Sequence, residues 1–176
     1  MNVFWQDFIK QYQSQHECMV EFDAQWPSPC LVDPDNITND LWVKWQPVPR
    51  QSDASANLKQ LGTALEIQIP DTIECFYCAY YADHLSVNFD GRVMTLLQVW
   101  NEEDFARLQE NIIGHVLMKR RLKQPDTIFI GVTDDDEELI SIIPSSGEVV
   151  FEYVGRTPHQ IVANSLQEFI GYLTVA

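Results

Sequence analysis

LSVNFDGRVMTLLQV, residues 85–99, is the stretch whose reading decides the fold. Leu85, Val87 and Phe89 alternate with Ser86 and Asn88, the two-residue period of a strand with one buried face. Asp90-Gly91 supplies a two-residue turn that tolerates positive φ, and residues 92–99 return as a second strand, so a β-hairpin is predicted. Just downstream, Asn101 caps a helix with Glu102, Glu103 and Asp104 in its first turn. Its apolar stripe is Phe105, Leu108, Ile112 and Val116, and Lys119, Arg120, Arg121 and Lys123 lie towards its end. Pro125 stands just past that end. Apolar runs at residues 127–132, 139–143 and 149–154 follow, separated by the acidic residues 134–138 and by Ser145-Ser146-Gly147, the pattern of a meander.

Working outward, Phe4, Phe8 and Tyr12 recur four apart beside Trp5 and Ile9, which predicts an amphipathic N-terminal helix. Residues 22–49 hold Pro27, Pro29, Pro34, Pro47 and Pro49 and read as extended or looped, with a strand only at 41–46. Ser52 is a cap for a short helix through Leu58 and Leu61, and residues 71–81 read as another helix. Thr157, Pro158 and Gln160 have the order of a cap, an N1 proline and a capping-box partner. They predict a last helix striped by Ile161, Ser165, Leu166, Phe169, Ile170 and Leu173. The expected class is α+β, an antiparallel sheet covered by helices, in one domain over residues 1–176. No internal repeat or low-complexity tract interrupts it.

The charge is lopsided: 26 acidic residues against 11 basic ones, net -15, in a chain that is still 45% hydrophobic and 11% aromatic. So many large apolar side chains predict a folded protein rather than an acidic disordered one. Its negative field disfavours DNA, RNA and anionic lipid and favours a basic protein surface, a polycation or a metal ion. Four of the basic residues lie together at 119–123, leaving most of the surface uniformly negative. Residues 1–12 show no basic region followed by an apolar run, and no apolar segment reaches the ~20 residues of a membrane span, so a soluble, non-secreted protein is expected. Cys18, Cys30, Cys75 and Cys78 fit free thiols in a reducing cytoplasm.

Few motifs point to catalysis. Cys75-Phe76-Tyr77-Cys78 has CxxC spacing, but it falls inside a predicted helix without a βαβ setting, and two semi-buried thiols is the simpler reading. His16, His84, His115 and His159 lack ligand spacing, and no GxSxG, HExxH or phosphate-cradling glycine loop occurs. The run Asp134, Asp135, Asp136, Glu137 and Glu138 has the composition of a calcium loop without its alternation or glycine. It is either a solvated turn or one wall of a cation-binding groove.

TLLQVWNEEDFARLQENIIGHVLMKRRLKQP, residues 95–125, resembles the Syd family of SecY-interacting proteins. So do SPC at 28–30, WQP at 45–47, FY at 76–77 and SGEV at 146–149. QENIIGH following WNEEDF is the most specific part. The resemblance implies an α+β fold related to the Smi/Knr (SUKH) group, no enzymatic activity and no cofactor. It also implies a cytoplasmic protein held peripherally at the cytoplasmic face of the inner membrane through protein rather than lipid. The implied partner is the SecY translocation channel, whose basic cytosolic loops would enter an electronegative groove. Recognition of uncomplexed SecY and a check on the translocase follow from the same resemblance. Candidate groove acids are Glu74, Asp83, Glu102, Glu103, Asp104, Glu110 and the 134–138 run, with Tyr77, Tyr80 and Trp100 as apolar anchors. The rival readings are an immunity protein of the same broad fold that neutralises a basic toxin, and an enzyme using either the two cysteines or a carboxylate pair.

Overall fold

The computed structural model describes residues 3–33, 42–50, 57–135 and 137–176. From the N-terminus, α1 (Val3–Gln15) buries Trp5, Phe8, Ile9 and Tyr12, as their spacing requires. β1 (Met19–Glu21) and β2 (Trp42–Lys44) pair as a short antiparallel ribbon. After β3 (Val48–Pro49) come α2 (Lys59–Leu65) and α3 (Asp71–Cys78), and then β4 (Tyr80–Tyr81) pairs back onto β3. The helix read over residues 71–81 therefore stops early, because the backbone at 80–81 takes its partners from Val48 and Pro49. The Ser52 cap lies outside the described residues.

The hairpin forms as β5 (Leu85–Phe89) and β6 (Arg92–Leu96), with Asp90 at φ 49° and Gly91 at φ 80°, both positive as a two-residue turn between twisted strands requires. Next come α4 (Glu102–Arg121), β7 (Ile128–Val132), β8 (Glu138–Ile142) and β9 (Val149–Tyr153), the helix and meander expected. The C-terminal region differs from its reading. Residues 160–163 form β10 (Gln160–Ala163) on the open edge of β9. The helix starts later, as α5 (Leu166–Tyr172), with Ser165 as its cap. Ser165 accepts from the Glu168 amide at 3.1 Å, while the Glu168 carboxylate accepts from the Asn164 amide at 2.6 Å. The S-x-x-E pattern at 165–168 is thus the true helix start, and the proline at 158 precedes a strand. A final strand, β11 (Thr174–Val175), pairs with β5.

The main sheet is antiparallel, with seven strands in the order β10-β9-β8-β7-β6-β5-β11. A bulge lies in β7 between Phe129 and Gly131. A Cβ at Gly131 would stand 2.6 Å from the Thr95 carbonyl oxygen, so only glycine lets β7 approach β6 this closely. One hydrophobic cluster runs from α1 through the sheet to α5; Trp5 and Phe76 meet with ring centroids 4.7 Å apart.

Beneath the C-terminal half of α4 lies a buried polar cluster. Lys119 Nζ donates to a Glu152 oxygen and, at 2.7 Å, to the Arg156 carbonyl. Thr127 donates to the other Glu152 oxygen at 2.6 Å, and His115 Nε2 sits 2.9 Å from the Thr127 hydroxyl. Burial alone would push the Glu152 carboxyl up, but the hydrogen bonds from His115, Lys119 and Thr127 overcome it and hold the group at about 2. Lys119 is therefore no part of the exposed basic cluster that the sequence suggests; it is fully buried and neutralised in place.

Candidate functional site

At the N-terminal end of α4 three separated segments meet around a cleft of 180 Å³, lined by Val20, Glu21, Asp23, Trp26, Leu31, Ala82, Asp83, His84, Trp100 and Asp104. The turn after β4 is tied to the strand leaving β6. The Ala82 amide donates to the Val99 carbonyl at 2.9 Å, and the Gln98 amide donates to His84 Nδ1 at 3.1 Å. The second bond makes Nδ1 an acceptor and leaves any ring proton on Nε2.

The loop at residues 26–30 is clamped onto the start of α4. Trp100 Nε1 donates to the Trp26 carbonyl at 3.2 Å and Asn101 Nδ2 to the Pro27 carbonyl at 2.8 Å. The Ser28 hydroxyl donates to the Trp100 carbonyl and accepts from the Cys30 amide at 3.0 Å. Trp45 meets Trp100 edge to face at 6.1 Å, and the Gln46 amide reaches the Cys30 carbonyl at 2.9 Å. The helix cap shapes the cleft too. Asn101 accepts from the Asp104 amide at 2.9 Å, and Asp104 accepts from the Trp100 amide at 2.8 Å, a reciprocal pair that fixes the Asp104 carboxylate at the rim.

Four carboxylates line this hollow, and among the described residues none of them takes part in an ion pair. Asp23 accepts from the Gln25 amide and Asp83 from the His84 amide, each at 2.8 Å. A carboxylate has about four acceptor sites, so each keeps capacity for an incoming donor. Trp26, Trp100 and Leu31 supply apolar wall between them. Arg107 lies over the Trp26 ring at 4.2 Å and pairs with Glu103 at 3.4 Å, and it is not among the residues that line the hollow. The volume is below the roughly 300–1,000 Å³ of small-molecule pockets. It suits single side chains of a peptide, above all a Lys or Arg whose stem lies on tryptophan while its head meets carboxylates. Among the described residues, no group of three or more His, Cys, Asp or Glu could hold a metal ion.

Of the acids and aromatics singled out in the sequence, Asp83, Asp104 and Trp100 meet in the cleft. Glu102 stands on the same helix turn but is engaged, accepting from Arg50 Nη2 at 3.0 Å and from the Tyr81 hydroxyl at 2.6 Å. The Arg50 side chain is only 2% exposed, packed over the Tyr81 and Phe105 rings at 4.6 and 4.1 Å. Glu110 is exposed farther along α4, and Tyr80 is half-buried in its pairing with Pro49. Glu74 lies elsewhere, beside Leu58, whose amide it accepts at 3.4 Å.

Tyr77 requires correction as an anchor. It is fully buried, its hydroxyl donates to the Phe129 carbonyl at 2.7 Å, and burial raises that hydroxyl's pKa. The 134–138 run does not reach the cleft either. Asp134 and Glu138 accept from Arg92 at 2.6 and 2.7 Å, at the Asp90-Gly91 end of the hairpin, and β6 separates them from the cleft by more than about 13 Å. Glu138 is nearly buried, bonded as well to Thr133 at 2.9 Å and His159 at 3.1 Å, so it is not a free groove acid. Asp135 accepts from the Glu137 amide in a local turn, Glu137 is exposed, and Asp136 lies outside the described residues.

The sequence reading missed Glu21, Asp23 and Trp26. Their signal is acids interleaved with aromatics at 21–26, just before the prolines. All four cysteines are free, and burial pushes Cys78 up to about 12, away from the thiolate a redox CxxC needs.

The family model described as Syd protein (SUKH-2) matches residues 1–174. Among curated relatives, Protein Syd of Pseudoalteromonas translucida (strain TAC 125) is 43% identical across 92% of this chain and 87% of its own. Protein Syd of Colwellia psychrerythraea (strain 34H) is 39% identical across 96% and 89%, and that of Aliivibrio fischeri (strain MJ11) 36% across 97% and 91%. The chain belongs to the Syd (SUKH-2) family. Within this Syd-family chain, three of the pieces that carried the resemblance, SPC, WQP and WNEEDF, come together as the hydrogen-bonded wall of the cleft. FY lies in the core instead, through Phe76 and Tyr77. Among the described residues, no helix is long and apolar enough to cross a membrane.

Proposed function

We propose that this protein is a non-enzymatic SecY-binding protein that receives basic cytosolic loops of the translocation channel in the cleft at the start of α4. It recognises uncomplexed channels and restrains the translocase. Membership of the Syd family supports the partner. The observation that carries the site is the set of four carboxylates, Glu21, Asp23, Asp83 and Asp104, facing one hollow without a cation of their own among the described residues. Cytoplasmic loops of membrane proteins are rich in Lys and Arg, and an ion pair with such a loop replaces carboxylate self-repulsion with attraction. Trp26 and Trp100 add apolar area for the stems of those side chains. Specific attachment is therefore peripheral, through protein, and weakens as salt rises.

Titration of the purified protein against SecY-containing and SecY-free inner-membrane vesicles tests this reading. Saturable, salt-sensitive binding that is stronger where SecY is present supports it, and equal binding to both overturns it. Neutralising Glu102, Glu103 and Asp104 together weakens that binding, with Asp104 accounting for most of the loss because the other two already hold cations.

A further inference from the structure

The surface is not uniformly negative. At the far end of α4 the exposed side chain of Leu122 (50%) lies beside the turn after β9, on which Val154 is 53% exposed. Two contacts fix that juxtaposition. Leu122 and Met118 pack against Gly155, within 3.9 Å of where its Cβ would stand, and Gln124 Nε2 donates to the Gly155 carbonyl at 2.8 Å. Arg121, Lys123 and Arg156 rim the same place. All three are exposed and make no ion pair among the described residues, unlike Arg120, which is held by Asp126 at 2.7 Å. Two half-exposed aliphatic side chains beside three cations without an ion pair among the described residues make an unusual patch on a chain of net charge -15.

We infer that this patch, formed by Leu122, Val154, Arg121, Lys123 and Arg156, is a contact surface for anionic lipid headgroups. Charge complementarity selects an anionic occupant. The patch is a helix end and a turn rather than a hollow like the acidic cleft. Apolar side chains standing out among cations suit insertion at the headgroup boundary better than they suit a peptide. Repulsion between lipid and the acidic cleft does not cancel the attraction. α4 has 20 residues, about 30 Å, so the cleft lies several Debye lengths of ~8 Å from a membrane touching the other end. Glu137, whose carbonyl accepts from the Val154 amide, flanks the patch as an opposing charge. The contact is weak: three cations and two exposed aliphatic groups give a reversible, auxiliary attachment that orients the molecule with its cleft free for a protein loop.

The test uses the whole protein and protein-free vesicles, so it is independent of any SecY binding. Co-sedimentation at low salt with phosphatidylglycerol vesicles should exceed that with phosphatidylcholine vesicles. Arg121→Glu, Lys123→Glu and Arg156→Glu together should lower the partition coefficient by at least roughly a hundredfold. Asp83→Asn with Asp104→Asn should leave it equal or higher. Leu122→Ser alone should lower it without changing its salt dependence. Equal sedimentation with both lipids overturns the inference. So does anionic-vesicle binding that survives the triple reversal. Self-association that disappears in the triple-reversal protein, without vesicle binding, would overturn it in favour of the acidic cleft of a second copy.

Discussion

The two ends of the central hairpin hold carboxylates in opposite circumstances. At the turn end, Asp134 and Glu138 are gripped by Arg92, and the resulting hydrogen bonds, against the opposing cost of burial for Glu138, keep both carboxyls below their ordinary range. At the other end, Glu21, Asp23, Asp83 and Asp104 share a hollow in which backbone amides position three of them and no described cation neutralises any. Both groups look alike in composition. The difference shows that an acid's worth to the fold depends on the partner already beside it, and that the unpaired set is the one left available to a ligand.

The sharpest contrast to the cleft is the buried pair under α4. Lys119→Met strands a buried Glu152 and should cost about 3–5 kcal/mol of unfolding free energy, read from denaturant midpoints. A loss below about 1 kcal/mol would mean that the pair contributes little. The same pair sets a pH dependence. The folded Glu152 carboxyl lies below its unfolded value, so its contribution is fully present above the unfolded pKa near 4.5 and is lost as pH falls towards about 2. On the order of 3 kcal/mol is at stake over that window. Unfolding measured across it should lose stability in the natural protein and stay much flatter in Lys119→Met with Glu152→Gln. Arg92→Ala leaves Glu138 with Thr133 and His159, and since the guanidinium is partly exposed the expected loss is smaller, about 1–2 kcal/mol by chemical denaturation. Smallest of all is the structural effect at the cleft. Asp83→Asn with Asp104→Asn retains an oxygen for each backbone amide and should shift stability by no more than about 0.5 kcal/mol. A large destabilisation there would make those acids structural and erase the contrast.

Much of the architecture was legible because its signals are local. The alternation around Asp90-Gly91, the Asn101 cap and the stripe from Phe105 to Val116 each follow from a few neighbouring residues. What was not legible depended on distant partners. Tyr80 and Tyr81 form a strand only because Val48 and Pro49 lie beside them, two residues being too few to show a period. Pro158 looked like the first position of a helix, yet the open edge of β9 claimed residues 160–163 and the Ser165 to Glu168 pair placed the helix start.

The site divided in the same way. Asp83, Asp104 and Trp100 were legible as acids and an aromatic near a helix cap. Glu21, Asp23 and Trp26 join them through hydrogen bonds between residues more than 70 positions apart, which no spacing rule displays. Tyr77 failed as an anchor because its amphipathic character was used inside the core, with its hydroxyl satisfied by a strand carbonyl.

The most direct test of the central claim sets the cleft carboxylates against two exposed acids of the 134–138 run on SecY-containing membranes. One variant carries Glu21→Gln, Asp23→Asn, Asp83→Asn and Asp104→Asn; the other carries Asp134→Asn and Glu137→Gln. Loss of at least tenfold in affinity, with a shallower salt dependence, is expected for the first and less than twofold for the second. The reverse order, or an equal loss in both, would contradict the assignment of the cleft as the place where the basic loops bind.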